Sequence, residues 1–193
     1  MTTFNHQKAT QAVNYFIHLN GGSIDKMKAL KLLWLSDKIH LMQYGRMITG
    51  DVYFAMKNGH VASATKDIID EKRNHVSDEV LDYRNNYILK TQSITLGSKQ
   101  EPDLMVFSDS DQEVMDLVFE KFGKFDQEYL SEVVSHSFSE WKRYEELFKL
   151  NPKHRAKLSL EDHFNGLDIL QGYSVELDEE NVKLIKEYSL ETA

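Results

Sequence analysis

The side chains able to do chemistry fall in few productive spacings. Asp37 and His40 stand three apart in a helical stretch, the spacing of an oriented carboxylate–imidazole pair. Together with His136 they are the set from which a small hydrolase would be built, but no nucleophile is signposted beside them. Ser135-His136-Ser137 sets hydroxyls next to an imidazole. Adjacent side chains rarely face each other, and the third member of a triad is missing. The eight histidines include no H-x-x-x-H and no H-E-x-x-H, so no metal site is expected. Cysteine is absent, which excludes disulfides, thiolate zinc sites, iron–sulfur clusters and a cysteine nucleophile. Gly21-Gly22-Ser23 precedes a helix, yet no strand leads into it and no G-x-x-x-x-G-K is present. The residues point to no catalytic group and no cofactor.

Binding chemistry has more candidates. Lys28, Lys31 and Lys38 fall within about a quarter of one helical wheel, where they would form a basic stripe at the edge of the core. That stripe is a candidate contact surface. His136 and Trp141 flank the start of a helix, where Trp141 would fill core space and His136 would bond the helix terminus.

These residues sit on a mainly helical framework. Ala9, Ala12, Val13, Phe16 and Ile17 give one apolar face to a first helix over about 6–19, ended by Asn20-Gly21-Gly22. Ser23 is the expected N-cap of a second helix reaching Tyr44, with Gly45 as its stop. Leu30, Leu32, Leu33, Trp34 and Leu35 leave that helix almost no polar side, so it should be central and buried. Asp51 to Lys57 alternates and reads as a strand, Asn58-Gly59 as a turn, and Val61 to Lys72 as a helix. Tyr87 to Leu96 and Leu104 to Phe107 are expected to complete one small antiparallel sheet with the Val52 strand.

Helices follow. Capping boxes are read at Ser110–Glu113 and Ser137–Glu140, Ser159 is read as a cap, and a last helix over Asp178–Tyr188 turns Val182 and Ile185 inward. The fold class is therefore α+β, mainly α: a compact helical domain with one small antiparallel β-sheet.

Charge divides the chain. Its 193 residues carry a net charge of −8. Residues 1–100 hold 13 Lys and Arg against 9 Asp and Glu, or +4; residues 101–193 hold 10 against 22, or −12. An overall acidic chain repels free nucleic acid, and an acidic half suits a basic partner. The basic first half is the sole support for DNA binding. No apolar run approaches the ~20 residues of a membrane span, and no signal pattern opens the chain, so a cytoplasmic protein is expected.

Read in order, KALKLLWLSDKIHLMQYGRMITGDVYFAMKNGHVAS resembles the opening signature of the Panacea domain, the SocA-like antitoxin domain. Lys31, Leu32, Leu33 and Trp34 match its lysine–leucine–aromatic helix. Tyr44-Gly45 matches its turn, and Gly59-His60-Val61 its glycine–x–valine turn. Leu130 to Val133, then His136 and Trp141, match its later helix, and Leu158 to Asp162 its closing element. Trp34 stands where a tyrosine is commoner. His60 stands where the family usually has proline, a change expected to loosen the turn. The resemblance places an antitoxin domain at 1–166; residues 167–193 lie outside it and are expected to form a C-terminal extension with a short helix, packed on that domain.

What the resemblance implies is a non-enzymatic antitoxin that binds a cognate protein toxin encoded in the same operon. The alternative is an adaptor that delivers the toxin to a ClpXP-type protease. Lys28, Lys31, Lys38, His60, Glu145 and Glu146 are the candidate partner-binding residues.

Overall fold

The computed structural model describes residues 3–91 and 94–192. Helix α1 (His6–Leu19) starts at Asn5, whose side chain accepts the Lys8 N–H at 3.0 Å. Its Ala9, Ala12, Val13, Phe16 and Ile17 are buried, as their spacing predicts. The chain turns through Gly21 and Gly22, both at positive φ, into the short strand β1 (Ser23–Asp25). Ser23 is thus not the cap of α2 (Lys26–Tyr44). Asp25 is, accepting from the N–H groups of Met27 and Lys28 at 2.7 and 3.1 Å. Every residue of α2 from Ala29 to Met42 is buried, so the all-round apolar helix is the centre of the fold. Gly45, at φ 73°, closes it.

Strands β2 (Tyr53–Met56) and β3 (Gly59–Ala62) form a hairpin, followed by α3 (Ser63–Ile69) and α4 (Asp78–Tyr87). The expected helix from Val61 therefore begins at Ser63, because Val61 still pairs with Phe54 across the hairpin. β4 (Ile88–Lys90) and β5 (Thr95–Ser98) come next. Leu104–Val106 is a 3-10 turn rather than a strand. α5 (Asp109–Phe122) leads to α6 (Gln127–Tyr129), which continues into a π-helical turn at Leu130–Ser135. The remaining elements are α7 (Ser139–Lys142), α8 (Glu145–Leu150), β6 (Ala156–Lys157), a 3-10 turn at Glu161–Phe164, α9 (Leu167–Gly172) and α10 (Glu179–Glu191).

The single expected sheet is two. β1, β5 and β4 form one antiparallel sheet in the order β1-β5-β4; the second has the order β3-β2-β6. The Val52 region thus pairs with Ala156–Lys157, and not with the 88–98 strands. Both sheets lie against α2, and one apolar core runs from Ala12 to Val182.

Two expected caps move. The box before α5 is built on Ser108 and Asp111, with each side chain bonding the other's backbone N–H. Glu140 does not reach back to Ser137, because it is drawn into the core by Lys38. The Ser159 cap holds: its hydroxyl accepts the Asp162 N–H, and the Asp162 carboxylate accepts the Ser159 N–H. Val182 is buried and Ile185 packs on the core, as expected. Among the described residues no helix is long and apolar enough to cross a membrane.

Candidate functional site

The β2–β3 hairpin turns through Lys57 and Asn58, with Gly59 at φ 88°. Neither Lys57 nor Asn58 has positive φ, and the left-handed Gly59 pairs directly with Met56, so this is a tight two-residue turn closed by a glycine. Such a turn leaves its carbonyls outside the ladder, and buried carbonyls need donors. Four side chains from elsewhere supply them or close the site around them.

Lys31 on α2 donates from Nζ to Asn58 O and to His60 O, both at 2.7 Å. Trp141 on α7 donates from Nε1 to Met56 O at 2.7 Å. His136, after the π-helical turn, bonds Lys57 O through Nε2 at 3.1 Å and lies flat on the Trp141 indole, centroids 3.5 Å apart. Ser135 Oγ accepts the His60 backbone N–H at 2.8 Å. Sequence-distant groups therefore pin one turn.

Gly59 is required for a second reason. A Cβ at this position would stand 2.3 Å from Ser135 Oγ and 2.7 Å from Lys31 Nζ. Only a residue without a side chain lets both groups approach.

His60 extends the cluster inward. Its ring stacks on Trp34 at 4.1 Å and meets Phe138 edge-on at 6.1 Å. Nδ1 is 2.7 Å from Ser135 Oγ, and Nε2 faces Glu140 Oε1 at 3.8 Å. Glu140 in turn accepts from Lys38 Nζ at 2.9 Å, which also bonds Asp162 O at 3.2 Å and sits over the Phe138 ring. The turn is not loosened by His60 replacing proline. Proline has no N–H to give Ser135, whereas His60 has both an N–H and a ring to stack.

Burial sets the protonation. Desolvation pushes the Lys31 amine down to about 7. Burial holds His60 well below the usual histidine range, helped by the nearby Lys31 and Lys38 charges. Burial lowers Lys38 as well, against the opposing pull of Glu140. The order Ser135–His60–Glu140 has the sequence of a nucleophile–imidazole–carboxylate relay. All three residues are fully buried, and Trp34 and Phe138 close over them. A substrate has no route to Ser135, and its Oγ already accepts a backbone N–H.

The hydrolase candidates do not meet. Asp37 holds Thr49 through the backbone N–H (2.9 Å) and the hydroxyl, and Tyr53 Oη at 2.7 Å. His40 faces Arg46 O at 2.8 Å, Ser110 Oγ at 3.1 Å and Asp111 at 3.2 Å. His136 is at the hairpin. The basic stripe is not on the surface either, because Lys31 and Lys38 are fully buried. Lys28 is half-buried and spends its ammonium on Asn20 Oδ1 and Gly123 O.

The other motif residues are structural. Leu32 and Val61 are core, Tyr44 is partly exposed with its hydroxyl on Glu113, and Gly45 packs near Ile185. Glu145 is half-buried and Glu146 exposed on α8, both paired to Lys149. Residue spacing did not reveal Ser135 or Glu140 as members of the cluster. Their partners lie 75 and 102 residues away in the chain.

Two helices, one hairpin and a π-helical turn thus define a class of small α+β protein whose signature residues fix a hairpin rather than form a catalytic pocket. A family model described as the antitoxin SocA-like Panacea domain matches residues 30–142. The chain belongs to this family, which is one of antitoxins. The matched span holds the whole pinning cluster, from Lys31 to Trp141. Neither a curated protein nor a solved structure matches the chain.

Proposed function

We propose that the protein neutralises a cognate protein toxin by direct, stoichiometric binding. Membership of the antitoxin family is the observation that carries this reading. The surface around the hairpin supports it as the place of binding. Lys57 and Asn58 are exposed at its tip. Val133 is exposed on the π-helical turn, and such turns recur at functional sites. Glu132 and Glu145 lie close enough to act on the His136 charge. Next to them α8 shows Glu146, Leu147 and Leu150.

An acidic rim around exposed leucines suits a toxin with a basic active-site groove. The acids steer the encounter and the leucines anchor it. A pinned hairpin costs little further ordering on binding.

Coexpression with the product of the adjacent gene tests the reading. A one-to-one complex and restored growth are expected. Toxicity without rescue and without a complex would end it. Equal rescue in a protease-deficient host separates neutralisation from delivery to a protease.

A further inference from the structure

A cleft of about 930 Å³ opens between the 45–53 loop, the 157–163 segment and the C-terminal part of α10. Its size is that of a small-molecule pocket, roughly 300–1,000 Å³. Its walls include Met47, Val52, Leu158, Leu160 and Tyr188. Val52 and Tyr188 are 41% and 70% exposed, large apolar surfaces that an occupant would cover.

The polar groups of the wall are few and unequal. Asp51 is spent on the start of α3, where it accepts from Ala64 N, Thr65 N and the Thr65 hydroxyl. Arg46 is spent on Asp111, 2.8 Å away, and on Ser108. Lys157 has no acidic partner among the described residues. His163 is 3% exposed and lines the cleft, and its Nδ1 is buried with no hydrogen-bond partner among the described residues. A buried imidazole without a partner is costly, and a group placed in the cleft would supply one. Burial and the nearby Lys38 hold this ring neutral, down to about 3, so it offers hydrogen bonds and not charge.

We propose that this cleft binds a small organic anion with a flat apolar body. The body would lie on Val52, Leu158 and Tyr188, its acidic group would meet Lys157, and a polar atom would bond His163. Half of the cleft comes from the family-matched segment and half from residues beyond 142. A ligand would therefore tie α10 to the core. The ties of α10 include Val182, Ile185, a Lys186–Glu161 pair at 3.0 Å, a Gln171–Glu179 bond at 3.0 Å and a long Asn181–Gln43 bond.

The test uses the whole chain and 1-anilinonaphthalene-8-sulfonate, a planar apolar anion. Fluorescence titration should show one saturable site. Lys157→Gln and Tyr188→Ala should each weaken it about tenfold, since each removes one contact worth a factor of this size. Both replace exposed groups, and circular dichroism confirms that the fold is kept. Hydrogen exchange over 179–191 should slow when the probe is bound. Non-saturable binding, or two variants that bind like the parent, would overturn the proposal. The toxin reading is tested by its own complex, so either can fail alone.

Discussion

The Lys31 ammonium and the Gly59 backbone occupy the same small space. Nζ lies 2.7 Å from where a Gly59 Cβ would be, and it bonds the carbonyls on either side of that glycine. A buried amine without a carboxylate partner is held here by two carbonyl dipoles. The same arrangement explains why the turn needs glycine at this position.

Gly59→Ala should therefore be severe. The new Cβ meets Ser135 and Lys31 and must sit at φ 88°. We expect a loss of about 2–4 kcal/mol, from backbone strain plus overpacking. Urea unfolding measures it. Gly172→Ala, where a Cβ meets nothing, is the control and should cost under about 1 kcal/mol.

Trp141→Phe keeps an aromatic ring against His136 but removes the donor to Met56 O. The expected cost is about 1–3 kcal/mol for a carbonyl left without its partner. Amide exchange in the hairpin should accelerate more than exchange in α1.

Acid should destabilise the fold through its buried histidines. His60 and His163 are neutral when folded, both below the ordinary histidine value, His163 at about 3. The unfolded chain binds protons near pH 6.5 and the folded chain does not. Stability is thus full above that value and falls as pH drops, by about 1.4 kcal/mol per unit for each histidine. Burial raises Asp37 and Asp51, which act in the opposite sense. The informative comparison is consequently His163→Gln against the parent. Between pH 6.5 and 4 its stability should fall less steeply with acid in urea titrations.

The sequence made the burial of α2 legible, because leucines occupy every side of one stretch. It also pointed to Lys31, Trp34, Gly59, His136 and Trp141, though not to their meeting place. Lys31 and Lys38 share a wheel quarter as a solvated stripe would, and only their partners at 58–60 and 140 reveal them as buried. The sequence predicts one sheet where there are two, because β1 has three residues and β6 two. Runs that short carry no alternation to read. The cap of α5 slipped by two positions because Ser108 and Ser110 both precede an acid at the right distance, and Asp111 selects Ser108.

Reversal of Glu145 and Glu146 to lysine tests the acidic rim. Lys149 bridges both acids, so the reversal also frees a lysine. Toxin association should slow about tenfold or more at low salt and less at high salt, with the fold unchanged. Stopped-flow mixing reads it. An unchanged rate would mean that this face is simply solvated.

Direct neutralisation is tested most simply by inhibition of the purified toxin by the purified protein, with no protease present. One equivalent should abolish the toxin's activity, and Gly59→Ala, where it remains folded, should do so less well. Full toxin activity in the presence of excess protein would contradict it.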